Sequence, residues 1–188
     1  MKKAEVDVEV DVIIEIAKGG HIKYEYDKES SVIVCDRILH TPMKYPFNYG
    51  FVPNTLSEDG DPLDVVVLMD DELVPGCMIR CKILGYLPTR DDAGNDPKLI
   101  VCPVNKVNPL YKNFKNITSV NSHDLERIRY FFKHYKDLEN KKVGVWEFVY
   151  KEGAIQVYND SIERFNNKNN KSQTNKITNY FKPLDFKS

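Results

Sequence analysis

From residue 5 the chain alternates acid with valine, Glu5-Val6-Asp7-Val8-Glu9-Val10-Asp11-Val12, and Ile13, Ile14 and Ile16 extend the run. A two-residue period puts the valines on one face, which predicts a strand with one wet side. Lys18-Gly19-Gly20 reads as a turn. Ile22 to Tyr26 and Ser31 to Leu39 read as further strands around the polar turn Asp27-Lys28-Glu29-Ser30. Residues 42–62 carry Pro42, Pro46, Pro53 and Pro62 with Gly50 and Gly60. They predict a long, punctuated loop with room for short strands. Val65 to Leu68, Met78 to Tyr86 and Leu99 to Val104 follow as strands, the first continuous and therefore buried on both faces. Residues 1–107 are mainly β, with many short strands, the pattern of a barrel.

The period then changes. Asn121 or Ser122 caps a helix whose apolar stripe is Leu125, Ile128, Phe132, Tyr135 and Leu138. A second helix is expected near residues 153–165, with Ile155, Tyr158, Ile162 and Phe165 as its stripe. Residues 166–180 hold six Asn and three Lys, and predict a mobile tail. The expected organisation is one domain over 1–165 and an Asn/Lys-rich tail over 166–188.

A length of 188 residues fits that single domain. Lys plus Arg is 27 and Asp plus Glu is 28, a net charge of −1, which argues against a general nucleic-acid binder. The longest aliphatic run, Val65 to Met69, is far short of the ~20 residues of a membrane span. Behind Met1-Lys2-Lys3 the acids interrupt any apolar export signal, so a cytoplasmic location is expected. Cys35, Cys77, Cys81 and Cys102 are then expected to be reduced. Cys77 and Cys81 lack further zinc partners at suitable spacing and read better as small buried hydrophobes.

Candidate chemistry sits in two acidic turns. Residues 58–72 hold seven acids and no Lys or Arg. Within them, Asp59-Gly60-Asp61-Pro62-Leu63-Asp64 interleaves Gly and Pro with three Asp. Such a turn can aim several carboxylates at one point, as hard divalent cations require. It also fits a solvated Asp-Gly turn, and the hexapeptide alone leaves both readings open. Asp91-Asp92-Ala93-Gly94-Asn95-Asp96-Pro97-Lys98 is a second turn of the same kind. If both meet at one end of a barrel, each close carboxylate pair costs about 4 kcal/mol at roughly 4 Å and an effective dielectric near 20. Such a group stays apart in water, holds protons, or binds metals; several Mg²⁺ ions are the simplest resolution. Lys23, Arg37, Tyr45, Tyr49 and Tyr135-Lys136 each fit a surface or core edge singly. Together, beside metal-binding acids, they suit a phosphate substrate.

With these blocks the sequence resembles the soluble family I inorganic pyrophosphatases, from about Val12 to Trp146. The turn at 59–64, followed by Val65, matches the family signature D-x-D-P-hydrophobic-D. The other matching blocks are Ile14-Glu15-Ile16, Ile22-Lys23-Tyr24-Glu25, Asp36-Arg37, Tyr45-Pro46-Phe47-Asn48-Tyr49-Gly50 and His134-Tyr135-Lys136-Asp137-Leu138-Glu139, in family order. The resemblance implies a mainly β fold with α, a closed five-stranded OB-like barrel flanked by two main helices. It implies hydrolysis of inorganic diphosphate to two phosphates, by in-line attack of a metal-activated water in a multi-Mg²⁺ site. Mn²⁺ or Zn²⁺ would substitute, and the expected assembly is a homohexamer.

By the same resemblance Asp59, Asp64, Asp91 and Asp96 are metal ligands and Asp61 takes the proton of the attacking water. Lys23, Arg37, Tyr49, Lys98, Tyr135 and Lys136 form the phosphate clamp, with Tyr135 also in a catalytic role. Glu15 and Glu25 act around the metal shell and Tyr45 lines the site. Ala17 and Asn95 depart from the family pattern; many members have Pro and an acid there. The seven acids and four cations of this set carry a formal −3, so metals must invert the sign before an anionic substrate binds. The alternatives are a non-catalytic metal- or anion-binding relative, disfavoured by retention of every catalytic-type residue, and a barrel for single-stranded nucleic acid, disfavoured by its charge.

Overall fold

The computed structural model describes residues 7–27 and 30–180, the last ten by backbone alone. The expectations at residues 1–6, at Lys28 and Glu29 and at 181–188 lie outside these residues. In chain order the elements are β1 (Glu9–Ile16), β2 (Ile22–Asp27), β3 (Val32–Ile38), β4 (Asn48–Val52), β5 (Leu63–Val67), β6 (Met78–Leu87), β7 (Thr89–Asp91), β8 (Gly94–Asn95) and β9 (Lys98–Pro103). Then come α1 (Ser122–His134), β10 (Gly144–Val145), β11 (Val149–Tyr150) and α2 (Lys151–Tyr180).

Strands β1, β4, β5, β9 and β6 hydrogen-bond in that order, and β6 pairs back on β1 to close a five-stranded barrel. Closure leaves these strands no free edge between them. The β5–β9 pair is parallel, and the others around the barrel are antiparallel. The alternation of β1 is read out directly. Val10, Val12, Ile14 and Ile16 are buried, while Asp11 faces out and takes Arg80 of β6 at 2.6 and 2.9 Å.

β4 is a fully buried barrel strand inside the stretch expected to be mostly loop. Its punctuation has a packing cause: a Cβ on Gly50 would lie 1.9 Å from the Ile13 carbonyl oxygen, so only glycine allows β1 this close. The fully buried Asn48 beside it accepts the Lys18 and Leu73 amides, both at 3.0 Å, and fastens two loops.

Alternate residues split the core in two. Val10, Val12, Ile14, Val65, Val67, Cys81, Ile83, Leu99 and Val101 pack together and fill the barrel. Val66, Leu84, Ile100 and Cys102 point the other way and meet Ile128, Phe131 and Phe132 of α1. The continuous run at Val65 is thus buried on both faces, as expected.

α1 is capped by Asn121, whose side chain accepts the His123 amide at 2.8 Å. Its stripe departs from expectation at Leu138, which is 62 % exposed. The helix has ended at His134, and Leu138 falls in a 3₁₀ turn closed by Asn140 at φ 56°. α2 starts earlier than expected and continues through 166–180, so its Asn/Lys-rich part is helical. Among its described side chains the fully buried ones are Lys151, Ala154 and Ser161, not the larger apolar residues of the expected stripe; the two small ones let the helix lie close to the barrel. All four cysteines are free; Cys81 and Cys102 are buried, but Cys35 is exposed on β3. Among the described residues, no helix is long and apolar enough to cross a membrane.

Candidate active site

Both Asp-rich turns are built by their own side chains. In the first, the Asp59 carboxylate accepts the Asp61 amide at 3.1 Å and Gly60 adopts φ +99°. At its base the Thr55 hydroxyl donates to the Val52 carbonyl and accepts the Leu63 amide, at 2.6 and 2.9 Å, fixing the entry to β5. In the second, the Asp91 carboxylate accepts the Ala93 amide at 2.9 Å, and the Asp96 amide donates to the Thr89 carbonyl at 2.9 Å.

The two turns meet across one pocket of about 400 Å³. Glu15, Lys23, Glu25, Tyr45, Tyr49, Asp59, Asp61, Asp64, Asp91, Asp96, Tyr135 and Lys136 all line it. The two remaining expected residues, Arg37 and Lys98, are not part of that lining. Lys98 is buried and reaches both Asp64 and Asp96 at 2.5 Å. The Tyr49 hydroxyl also donates to Asp64 at 2.5 Å. Two residues expected in the phosphate clamp thus direct their polar atoms at a carboxylate instead. A larger cavity of about 980 Å³ lies elsewhere, outside α1 among Lys18, Lys44, Arg127 and Tyr130, and holds none of the acids of the two turns.

The opposite wall is the β2–β3 hairpin, where Lys23 and Arg37 are cross-strand partners. Two like charges face each other there because acids hold them. Asp36 lies 3.4 Å from Lys23 and 2.6 Å from Arg37, Glu25 binds Lys23, and Glu139 takes the Arg37 Nε at 3.1 Å. The pairing register slips between Lys23 and Tyr24, which leaves Asp36 unpaired on its strand and turned to both cations. Asp36 and Glu139 had been given no role. Their membership in Asp36-Arg37 and in the His134–Glu139 block was the available signal. Glu15 sits at a similar slip between β1 and β4, and its carboxylate accepts the Tyr26 amide at 2.8 Å.

Electrostatics separate the two walls. Burial pushes Glu15 up to about 7. Burial, opposed by Lys98 and reinforced by Asp64, raises Asp96 to about 6. Burial also raises Asp59. Desolvation favours a neutral Lys98, yet Asp64 and Asp96 overcome it and hold the ammonium charged. Asp91 goes the other way: burial is outweighed by Lys136, 2.9 Å away, and by the Ala93 amide, and its carboxyl is lowered.

The family model for inorganic pyrophosphatase matches residues 12–166. The chain belongs to the inorganic pyrophosphatase family. The inorganic pyrophosphatase of Xylella fastidiosa is 48 % identical over 162 residues, covering 84 % of this chain and 89 % of the relative. That of Helicobacter pylori is 44 % identical over 169 residues, 88 % and 98 % of the two chains. The solved Coxiella burnetii inorganic pyrophosphatase superposes with a TM-score of 0.82 at 42 % identity, over 88 % of this chain and 99 % of that one. The chain is therefore a hydrolase of inorganic diphosphate, releasing phosphate, of a family that works with a divalent metal.

Proposed function

We propose that Asp59, Asp64, Asp91 and Asp96 hold the divalent ions, that these are Mg²⁺, and that Asp61 takes the proton of the attacking water. The observation that carries this reading is the meeting of both Asp-rich turns on one pocket that Lys23 and Lys136 also line. The donors are all oxygen and in excess over the cations, which suits a hard ion. Among the described residues no three His, Cys, Asp or Glu side chains form a ready cage. Mg²⁺ does not need one, since it binds through one or two carboxylates, waters and substrate phosphates. When bound, the metal neutralises phosphate oxygens and lowers the pKa of a water.

The protein's own residues do the rest. Lys98 and Tyr49 fix Asp64, so a ligand carboxylate is pre-oriented before any ion arrives. Lys23 and Arg37, braced by Asp36 and Glu139, present a point charge and a fork to the diphosphate. Lys136 and the Tyr135 hydroxyl reach it from the end of α1. Asp61 is exposed, so a proton it accepts can leave to solvent. The family resemblance further supports a homohexamer, a cytoplasmic location and residues 1–165 as the active unit.

The test is a rate matrix over Mg²⁺ and pH for wild type, Asp61→Asn and Asp64→Asn, with a chelator control. A positioned general base contributes ~10²–10⁴-fold. Asp61→Asn should lose turnover in that range, keep metal affinity, and recover at high pH but not with more Mg²⁺. Asp64→Asn should lose metal affinity and recover partly at high Mg²⁺. Rescue of Asp61→Asn by Mg²⁺, and not of Asp64→Asn, would reverse the two roles; full activity in chelator would remove the metal site altogether.

A further inference from the structure

The loop that carries the first Asp-rich turn leaves the barrel at the end of β4 and returns to it at β5. Outside a strand its backbone polar groups need other partners, and both partners of Leu56 come from α2. The Leu56 amide donates to the Ser161 carbonyl at 3.0 Å, and the Leu56 carbonyl accepts the Arg164 Nε at 2.8 Å. Ser161 and Arg164 are three residues apart, neighbours on one face of the helix. Ser161 is fully buried, and its hydroxyl donates to the Tyr158 carbonyl at 2.6 Å, which seats this turn of α2 against the barrel.

Leu56 is the last residue before the Asp-rich turn closes on itself. The Ser57 amide donates to the Asp61 carbonyl at 2.7 Å, and the Gly60 amide to the Ser57 carbonyl at 3.2 Å. With the Asp59 carboxylate on the Asp61 amide, residues 57–61 form one hydrogen-bonded unit. Thr55 holds its far side at Leu63, and α2 holds its near side at Leu56. Arg164 also lines a cavity of about 330 Å³ together with Glu58 of this turn and Asn95 of the second. It is not part of the reaction-pocket lining.

We propose that Arg164 is a positioning residue for the metal site, acting through the Leu56 carbonyl to set where the 57–61 unit holds Asp59 against Asp64 and Asp96. The inference rests on the reading of Asp59 as a metal ligand. A hydrogen bond from a guanidinium is charge-assisted and stronger than a neutral one, and the planar group fixes direction as well as distance. Hydrogen-bond partners of metal ligands govern ~10–100-fold in metal affinity. Arg164 acts one link further out, so its share is smaller, about 3–10-fold.

The test is calorimetric Mg²⁺ titration of the full chain without substrate, for wild type, Arg164→Met, Arg164→Lys, Ala154→Gly and Asp59→Asn, with amide hydrogen exchange of the metal-free protein. Arg164→Met should bind Mg²⁺ ~3–10-fold more weakly and exchange the Leu56 and Ser57 amides faster. Arg164→Lys keeps a charged donor without the directed Nε and should fall between wild type and Arg164→Met; its exchange at Ser57 decides the matter if Arg164→Met does not fold. Ala154→Gly loosens α2 away from Leu56. It should lower the unfolding midpoint and leave Mg²⁺ affinity and Ser57 exchange unchanged. An equal loss of Mg²⁺ affinity in Ala154→Gly would make the effect one of helix docking in general and overturn the proposal. Unchanged affinity in Arg164→Met, or unchanged Ser57 exchange in Arg164→Lys, beside weaker binding by Asp59→Asn would overturn it alone. Unchanged affinity in Asp59→Asn would overturn the metal reading of the turn, and the proposal with it.

Discussion

Lys98 and Lys82 lie on neighbouring strands, each with 3 % of its side chain exposed, and their surroundings are opposite. Lys98 has two carboxylates at 2.5 Å and the rings of Tyr49 and Phe132 at 5.9 Å. Among the described residues Lys82 has one carboxylate, at 3.9 Å, already engaged by two other lysines. Burial is therefore not what distinguishes them. The number of opposite charges within reach is, and it leaves one end of the β6–β9 ladder short of cations and gathers three lysines around Asp7 at the other.

The largest effect should come from removing each lysine in the metal-free protein. Lys98→Met leaves Asp64 and Asp96 facing each other without their counter-ion, and breaking such a pair costs about 3–5 kcal/mol. Lys82→Met should cost less than about 1 kcal/mol or stabilise, because it replaces a buried ammonium that has no hydrogen-bond acceptor among the described residues with an apolar side chain. Urea unfolding of both variants measures this, and equal losses would break the comparison.

Next in size is an opposite pH dependence at the two ends. Burial raises the Glu15 carboxyl from 4.5 to about 7, so the folded chain binds the extra proton and stability falls as pH rises between those values. Glu15→Gln should therefore gain on the order of 2–3 kcal/mol over wild type at pH 8 and nothing at pH 4. At Asp7, burial is outweighed by Lys151 and Lys115, and the carboxyl is lowered below 3.8. Its contribution is present above that value and lost as pH falls through the folded pKa. Asp7→Asn should thus be less stable than wild type at pH 7 and converge with it in strong acid. Thermal melts across pH, without metal, would show two variants with differences of opposite sign; a shared sign would refute the assignment.

The smallest effect concerns Asn95, whose amide donates to Glu58 at 2.8 Å beside Asp96. Asn95→Asp adds a carboxylate to the cation-poor end. Mg²⁺ affinity should rise a few-fold, with turnover at saturating metal unchanged, as read by calorimetry and steady-state rates.

Much of this was legible before any fold was known. The alternation at β1, the doubly buried run at Val65, the Asn121 cap and the two Asp turns follow from short-range periodicity and turn chemistry. β4 was not legible, since Gly50 and its flanking prolines look like loop until β1 is seen pressing against the glycine. Leu138 kept helical spacing after the helix had ended, and periodicity carries no stop signal without a Gly or Pro. The second helix was cut short because an Asn/Lys-rich composition weakens the apolar stripe without preventing backbone hydrogen bonding.

By itself the sequence determined which side chains are available and which local turns present them: the Asp hexapeptide, the second Asp turn, the Lys23 and Arg37 strands and the Tyr135-Lys136 pair. The tertiary structure alone decided their charge neighbours. Asp64 meets Lys98 from 34 residues away, Arg37 meets Glu139 from 102, and Asp7 meets Lys151 from 144. Coulomb energy depends on separation through space and on the surrounding dielectric, and barrel closure sets both by bringing distant strands into register. The same residue type on adjacent strands thus became a cation with two carboxylates at 2.5 Å at Lys98 and, among the described residues, one without a hydrogen-bond acceptor at Lys82, a difference that no local pattern encodes.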